Sequence, residues 1–477
     1  MAFRKRDKRA STASRPSNPV ARPDNRLAYM DYALFAQHRA IDRNVVIQVV
    51  WVYDQAVDFD GLRLFSRNLG YGLLGRRIER SRLPFARHRW VLDHSPPDID
   101  IAASARPRAE VSDWADEHSR LPTDPERGPG WRIGVLPLED GANAVSLVLS
   151  HYLIDGFGLA VTIVNAAMGR TRDLDYPPPR SLTRLRAVAQ DVRQVTRDMP
   201  QVARAVAAGA RLARRNRQDN AKSSASRPAP VEVADGDEVI AVPVITMHID
   251  LDDWDNRAKA LGGTSDTLVA GLAAKLGQLL GRQRASDGAV TLQLPISERT
   301  ADDTRAIAVS YARLNVDPTN VTTDLRDVRA DVKQALADLR EQPDEFLQLL
   351  PLAPFTPRRA LKRMGDAMVA DPDHPVFCSN LGDLGLLLYA LANDDDEYAI
   401  VSGILVPLQL IRVVGQNVTR QWYEQAGGQL NVQSWRIGGK VSITVDAYQP
   451  NGENTKQSLR EITARALAEF DLSGDVY

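Results

Sequence analysis

Residues Ser150 to Gly158 read SHYLIDGFG. His151 ends an apolar run, and the pair Asp155-Gly156 follows four residues later. Imidazole is the commonest general base at neutral pH, because its unperturbed pKa lies close by. Asp155 is spaced either to fix the tautomer of the ring or to anchor the turn, and the residues alone leave both open. Gly156 removes a side chain next to the histidine, which would let a substrate approach the backbone closely. The plainer alternative is a satisfied turn or core histidine.

Other chemistries find no foothold. His38, His88, His94, His118, His248 and His374 are scattered, and none sits in an HExxH or Cys/His metal pattern. The chain has no Walker A loop, no GxGxxG opening a helix after a strand, and no GxSxG elbow. Cys378 is the single cysteine, so neither an internal disulfide nor a thiolate metal cluster can form. This fits a reducing compartment, and a cytoplasmic location is expected. Lys and Arg number 60 against 61 Asp and Glu, a net charge of -1, which gives no global case for nucleic acid. With 477 residues, 44% hydrophobic and 25% charged, the composition is that of a soluble globular chain of two or three domains.

The elements around the histidine read as an α/β unit. WRIGVLPLED (Trp131 to Asp140) and NAVSLVLSHY (Asn143 to Tyr152) form a predicted hairpin around Gly141-Ala142. His151 then stands at the end of a buried strand, where loops carry chemistry. FGLAVTIVNAAMG (Phe157 to Gly169) follows as a helix. Upstream, Asn44 to Asp54 is strand-like, Asp58 to Ser81 has helical spacing with Asp58 or Asp60 as cap, and RHRWVLD is a short strand. The second half repeats this grammar. It has strands at Val239 to Trp254 and at Ala289 to Arg299, the latter ending at Pro295. A helix over Gly262 to Arg282 is capped by Thr264 or Ser265, and another runs from Thr323 to Glu341.

Four segments result: a basic disordered tail (1–26), a first half-domain (27–175), a basic helical crossover and linker (176–238) and a second half-domain (239–477). The crossover carries Arg214, Arg215 and Arg217, which would meet solvent or an anionic membrane face, so peripheral membrane contact is one expectation. The apolar run near residue 390 is interrupted by Asn393 to Glu397, which reads as a loop rather than a membrane span.

HYLIDG is similar to the HxxxDG signature of the CoA-dependent acyltransferase superfamily. That superfamily includes chloramphenicol acetyltransferase, the condensation domains of nonribosomal peptide synthetases, the plant BAHD enzymes and the bacterial wax ester synthase/diacylglycerol acyltransferases. The hairpin before the motif and the helix after it agree with that resemblance. The basic crossover, TSDTLVAGLAAKL, LPISER and PVFCSNLGDLG resemble the wax ester synthase and mycobacterial acyltransferase branch. The similarity covers Leu27 to Phe470. Two departures stand out: Ser150 replaces the first histidine of an HHxxxDG motif, and SNLGDLG stands where plant members have DFGWG. Asp266 keeps half of an Asn-Asp pair.

The resemblance implies an α/β fold of two chloramphenicol-acetyltransferase-like half-domains, a pseudo-dimer with a channel between them. It implies His151 as general base, with Asp155 turned away from substrate and paired with Arg299 of the other half, and Gly156 supporting the turn. Ser379 and Asn380 would line the channel. The implied activity moves an acyl group from a CoA or carrier-protein thioester to an alcohol, or less readily an amine, in lipid or secondary metabolism. No tightly bound cofactor and no metal is implied, and an acyl carrier protein is an expected partner. Two halves in one chain predict a monomer. The competing reading is a catalytically silent, condensation-like docking module, for which Ser150 is the main support.

Overall fold

The computed structural model describes residues 24–41, 43–220, 238–300, 302–341, 345–369, 371–392, 403–404 and 406–477. The tail up to residue 23, the linker 221–237 and the loop 393–397 read from the sequence lie outside these residues.

The first half runs α1 (Tyr29–Ile41), β1 (Asn44–Tyr53), α2 (Phe59–Leu69), β2 (Arg76–Glu79), β3 (Arg89–Leu92), β4 (Ile99–Ile101), α3 (Val111–Ser119), β5 (Trp131–Pro137), β6 (Asn143–Ser150), α4 (Gly156–Ala167) and α5 (Arg184–Asn220). The second half continues β7 (Val244–Asp250), α6 (Leu251–Ala260), α7 (Ser265–Leu279), β8 (Val290–Ser297), β9 (Val309–Val316), α8 (Arg326–Glu341), α9 (Glu345–Leu349) and α10 (Arg358–Val369). It closes with β10 (Val376–Asp383), α11 (Leu384–Leu391), β11 (Leu408–Gln416), α12 (Arg420–Gln425), β12 (Gln429–Ile437), β13 (Lys440–Tyr448), α13 (Lys456–Glu469) and β14 (Asp475–Val476).

Each half is built on its own sheet. The first sheet has the order β11-β1-β6-β5-β4 and the second β14-β7-β13-β12-β10-β8-β9. Strand β11 therefore leaves the second half and pairs antiparallel with β1, from Asn44↔Gln416 to Val50↔Leu410. Strand β6 lies on the other side of β1 (Val46↔Ser150), and β5 pairs with β6 as the hairpin read from the sequence. The first core also crosses the boundary. Ile307, Leu384, Ile411 and Trp435 from the second half pack with Ile47, Trp131 and Leu149 from the first.

Three sequence expectations are corrected. The strand expected over Val239 to Trp254 spans only Val244–Asp250, where Asp250 caps the helix Leu251–Ala260. The helix expected over Asp58 to Ser81 stops at Leu69, and Arg76–Glu79 is a strand. Gly72 takes a φ of +64°, which turns the chain out of the helix, and Gly75 packs so closely on the carbonyl of Gly70 that no side chain fits there. The strand expected to end at Pro295 continues to Ser297. Its parallel partner β10 meets it only at Leu292 and Gln293, so Pro295 has no ladder bond to lose on that side. The cap of α7 is Thr264, whose hydroxyl accepts from Thr267 N while the Thr267 hydroxyl accepts from Thr264 N.

The basic crossover is one long helix, α5, of 37 residues. Its inner face holds two buried carboxylates, Asp191 and Asp198, which bind Arg26 and Arg87 of the first half at 2.9 Å each. Among the described residues no helix is long and apolar enough to cross a membrane.

A shared core predicts that the halves unfold together. Chemical denaturation followed by tryptophan fluorescence and by circular dichroism should give coincident single transitions. Trp435, fully buried, should cost about 3–5 kcal/mol on truncation to alanine. Two resolved transitions, with Trp435→Ala moving only one, would contradict the shared core.

Candidate active site

Strand β6 ends at Ser150, and His151 N donates to Val45 O of β1 at 2.9 Å. The histidine backbone is thus held by the sheet. Four residues on, Asp155 caps α4, its Oδ1 accepting from Gly158 N at 2.8 Å. The chain between sheet and helix is a fixed short turn, and the imidazole projects from it into a cavity of about 270 Å³.

That cavity lies between the halves. Leu34, Val45, Ile47 and Ile411 form one wall; Pro295, Val309, Phe377 and Leu381 form the other. His151, Asp155, Gly156, Ser379 and Asn380 all line it, so five of the residues singled out from the sequence come together. Arg299 stands behind Asp155 rather than in the cavity. Its Nε donates to Asp155 Oδ1 at 3.1 Å and its Nη2 to Oδ2 at 2.6 Å. The side chains are only 5% and 3% exposed.

Both members of the pair have further partners. Asp155 Oδ2 also accepts from Ala308 N at 2.9 Å, and Arg299 donates to the carbonyls of Asp303, Arg305 and Ala306 at 2.9–3.2 Å. Asp31 of α1, also buried, accepts from Ala306 N and Ile307 N at 3.0 and 2.9 Å. Arg76 spans the same seam. It donates to Leu153 O in the motif turn and to Thr304 O in the facing loop, and it stacks on Trp90 at 3.8 Å.

Burial holds the His151 pKa below its ordinary value, with its own carbonyl, Asp155 and the Ile154 carbonyl pulling the other way. The ring is therefore neutral at pH 7. Its Nδ1 is buried without a hydrogen-bond partner, and the residue lines the cavity. A neutral imidazole beside an apolar cavity can accept a proton. Asp155 is turned to Arg299 and to backbone amides, so it positions the turn.

Gly156 takes ordinary helical geometry at the start of α4. A methyl there would meet only a Leu381 side-chain carbon, at 3.1 Å. The glycine with no room is Gly158, where a Cβ would lie 2.9 Å from Arg299 Nε and 3.0 Å from Asp155 Oδ1. Asn380 is tethered at both ends. Its amide donates to Asp266 Oδ1 and its oxygen accepts from Gly382 N, each at 2.8 Å. Cys378 faces the second core, 5% exposed, and burial pushes its thiol up to about 12, so it is no nucleophile.

Other polar residues in the cavity were not singled out from the sequence, and three of them bear on its chemistry. His38 of α1 lies with its ring 5.4 Å from that of Tyr152, and burial, followed by the charges of Arg43 and His151, lowers it to about 4. Tyr311 of β9 is raised by burial and then by the charge of Asp155. Gln433 of β12 lines the cavity with a buried Nε2 that lacks a partner. Among the described residues no group of three or more His, Cys, Asp or Glu side chains could hold a metal ion.

No protein-family model matches the chain, and no curated protein matches it in sequence. Solved structures do match in fold. Aligned with the first condensation domain of the CDA synthetase, the chain is 14% identical over 95% of its length and 99% of that chain, with a TM-score of 0.55. The first condensation domain of the calcium-dependent antibiotic synthetase in complex with substrate analogue 2a gives 15% identity, 94% and 97% coverage and a TM-score of 0.55. Polyketide synthase associated protein 5 from Mycobacterium tuberculosis gives 16%, 92% and 96%, with a TM-score of 0.49. The fold is that of condensation domains, an α/β chain of two half-domains, as the sequence resemblance led one to expect.

The buried pair generates a stability prediction. Asp155→Ala and Arg299→Ala should each lower unfolding free energy by about 3–5 kcal/mol, because each strands a buried charge. The double variant should lose clearly less than the sum. Urea melts of the three variants give the coupling, and additive losses would contradict it.

Proposed function

We propose that the chain is an acyltransferase that moves an acyl group from a thioester, on CoA or on an acyl carrier protein, to an alcohol or, less readily, an amine. The observation that carries this reading is the neutral imidazole of His151 in an apolar cavity between two halves, its turn clamped by the Asp155–Arg299 pair. The condensation-domain fold supports acyl or peptidyl transfer between thioester-bound groups. The nearer resemblance to wax ester synthases rests on sequence motifs alone.

In the proposed reaction His151 Nε2 takes the proton from the acceptor hydroxyl as its oxygen attacks the thioester carbonyl. The C–O bond forms and the carbonyl electrons move to oxygen. The oxyanion needs donors close by, and the unpartnered Nε2 of Gln433 is available in the cavity. Collapse breaks the C–S bond, and the imidazolium returns its proton to the leaving thiolate. The products are an ester and a free thiol. The thioester brings its own activation, so this chemistry calls for no resident cofactor.

A docking module without turnover is the second reading, supported by Ser150. That serine is fully buried, with its hydroxyl facing Tyr152 N at 3.4 Å. It occupies a place in the turn rather than a place against substrate, so its presence does not remove a cavity group.

Thiol release decides between them. Purified protein is mixed with acyl-CoA and acyl-carrier thioesters and a panel of alcohols and amines. Acceptor-dependent release should occur and fall by at least 10²-fold in His151→Ala. Release that is absent with every donor would favour the docking module, and release undiminished in the variant would remove His151 as the base.

The pH profile is a second check. A base whose pKa is depressed is already in its active form at neutral pH, and activity is lost only as pH falls through that lowered value. The acid limb of kcat/KM should therefore lie below about 6.5, the free imidazole value. A limb at or above that value would be inconsistent with a buried neutral His151.

A further inference from the structure

Strand β11 has two faces. Ile411 and Val413 look into the catalytic cavity, while Leu410 and Arg412 line a second cavity of about 500 Å³ on the opposite side. This second space lies between α3 and β1 of the first half and β7, α13 and β14 of the second. Nothing in the proposed acyl transfer uses it.

Its walls are apolar, formed by Val50, Val52, Val111, Val244 and Leu410. The charged side chains that line it are of one sign, Arg108, Arg412 and Arg460, with no Asp or Glu among the lining residues. Two of the three already have partners. Arg108 binds Asp140 and Asp54 at 2.9 and 3.3 Å, and Arg412 binds Asp116 at 2.6 Å and donates to the side-chain Oε1 of Gln48 at 2.7 Å. Arg412 is 4% exposed, and its Nη2 is nevertheless left without a partner. Arg460, on α13, has a buried Nε with no partner. A buried guanidinium nitrogen without an acceptor is costly, and a planar anion relieves it with short, charge-assisted bonds. An apolar chamber with unsatisfied cations at its wall is complementary to one ligand class.

We propose that this second cavity binds an anionic amphiphile, its head on Arg460 and Arg412 and its chain against Val50, Val52, Val244 and Leu410. The head is a carboxylate or a phosphate, since both present acceptor pairs to guanidinium. The site is separate from the catalytic cavity, with β11 as the wall between them.

The test uses the full chain and isothermal titration with dodecanoate, dodecyl phosphate and dodecanol, each below its aggregation threshold. The two anions should bind at least tenfold tighter than the alcohol, and their ratio distinguishes a free carboxylate from a phosphate head. Arg460→Gln should lose at least tenfold in affinity for the anions and leave dodecanol unchanged. His151→Ala should bind all three as the parent does. Thermal unfolding of unliganded Arg460→Gln shows that the variant is folded, as expected for a half-buried helix position accepting a good helix former. Equal affinity for dodecanoate and dodecanol, unchanged anion affinity in Arg460→Gln, or no binding at all would overturn the proposal. The readout is binding, so absence of acyl transfer leaves this test intact.

Discussion

The Asp155–Arg299 pair ties the sheet of one half to the loop of the other, and the rest of the site depends on it. The carboxylate accepts from two backbone amides and twice from one guanidinium, and the guanidinium spends its other protons on three carbonyls of residues 303–306. Removing two charges from water costs several kcal/mol each, and such a pair is tolerable only when every group is satisfied. Here it is. The start of α4, the turn after β6 and the loop 299–308 are consequently one unit. Asp31 and Arg76 reinforce it by binding the same loop from α1 and from β2. Glycine at position 158 is a condition of the pair, since any side chain would occupy the space of the guanidinium.

The exchange of β11 gives the cavity its second constraint. Without it β1 would present an open sheet edge, and open edges invite pairing with other chains. With it, the first sheet gains an outer strand whose side chains alternate between two cavities. The cavity at His151 is bounded by residues that a rigid separation of halves would pull apart, among them Val45, Ile411, Val309 and Phe377. Its shape is therefore a property of the closed chain and not of either half.

What could be read from the sequence was what is local or periodic. The hairpin β5–β6, the cap at Thr264 and the spacing of His151 and Asp155 all lie within a few residues. The partner of Asp155 is 144 positions away, and only resemblance to a family suggested Arg299. Asp31 and His38 sit in YMDYALFAQHR, which looks like any amphipathic helix until the second half closes over it. Gln433 alternates with apolar neighbours in a strand and is marked by nothing but its facing cavity. The overlong helix from Asp58 failed for a different reason. Helical spacing continued past Leu69, but the positive φ of Gly72 and the close packing at Gly75 overrode it. The strand exchange is invisible to periodicity, because β11 has the pattern of a half-buried strand whichever sheet receives it.

The burial of His151 acts on the proposed reaction in two opposed ways. It lowers the basicity of His151, which weakens the pull on the acceptor proton. It also shifts the ring toward its accepting form at neutral pH. The same low dielectric strengthens any donor aimed at the developing oxyanion, because charge interactions scale inversely with the local dielectric. A thioester carbonyl is already activated, so the reaction asks more of oxyanion stabilisation than of base strength. An apolar cavity with a weak, always available base and an unspent amide donor at Gln433 is matched to that demand. A strong, exposed base would serve an unactivated ester better, and His151 is buried.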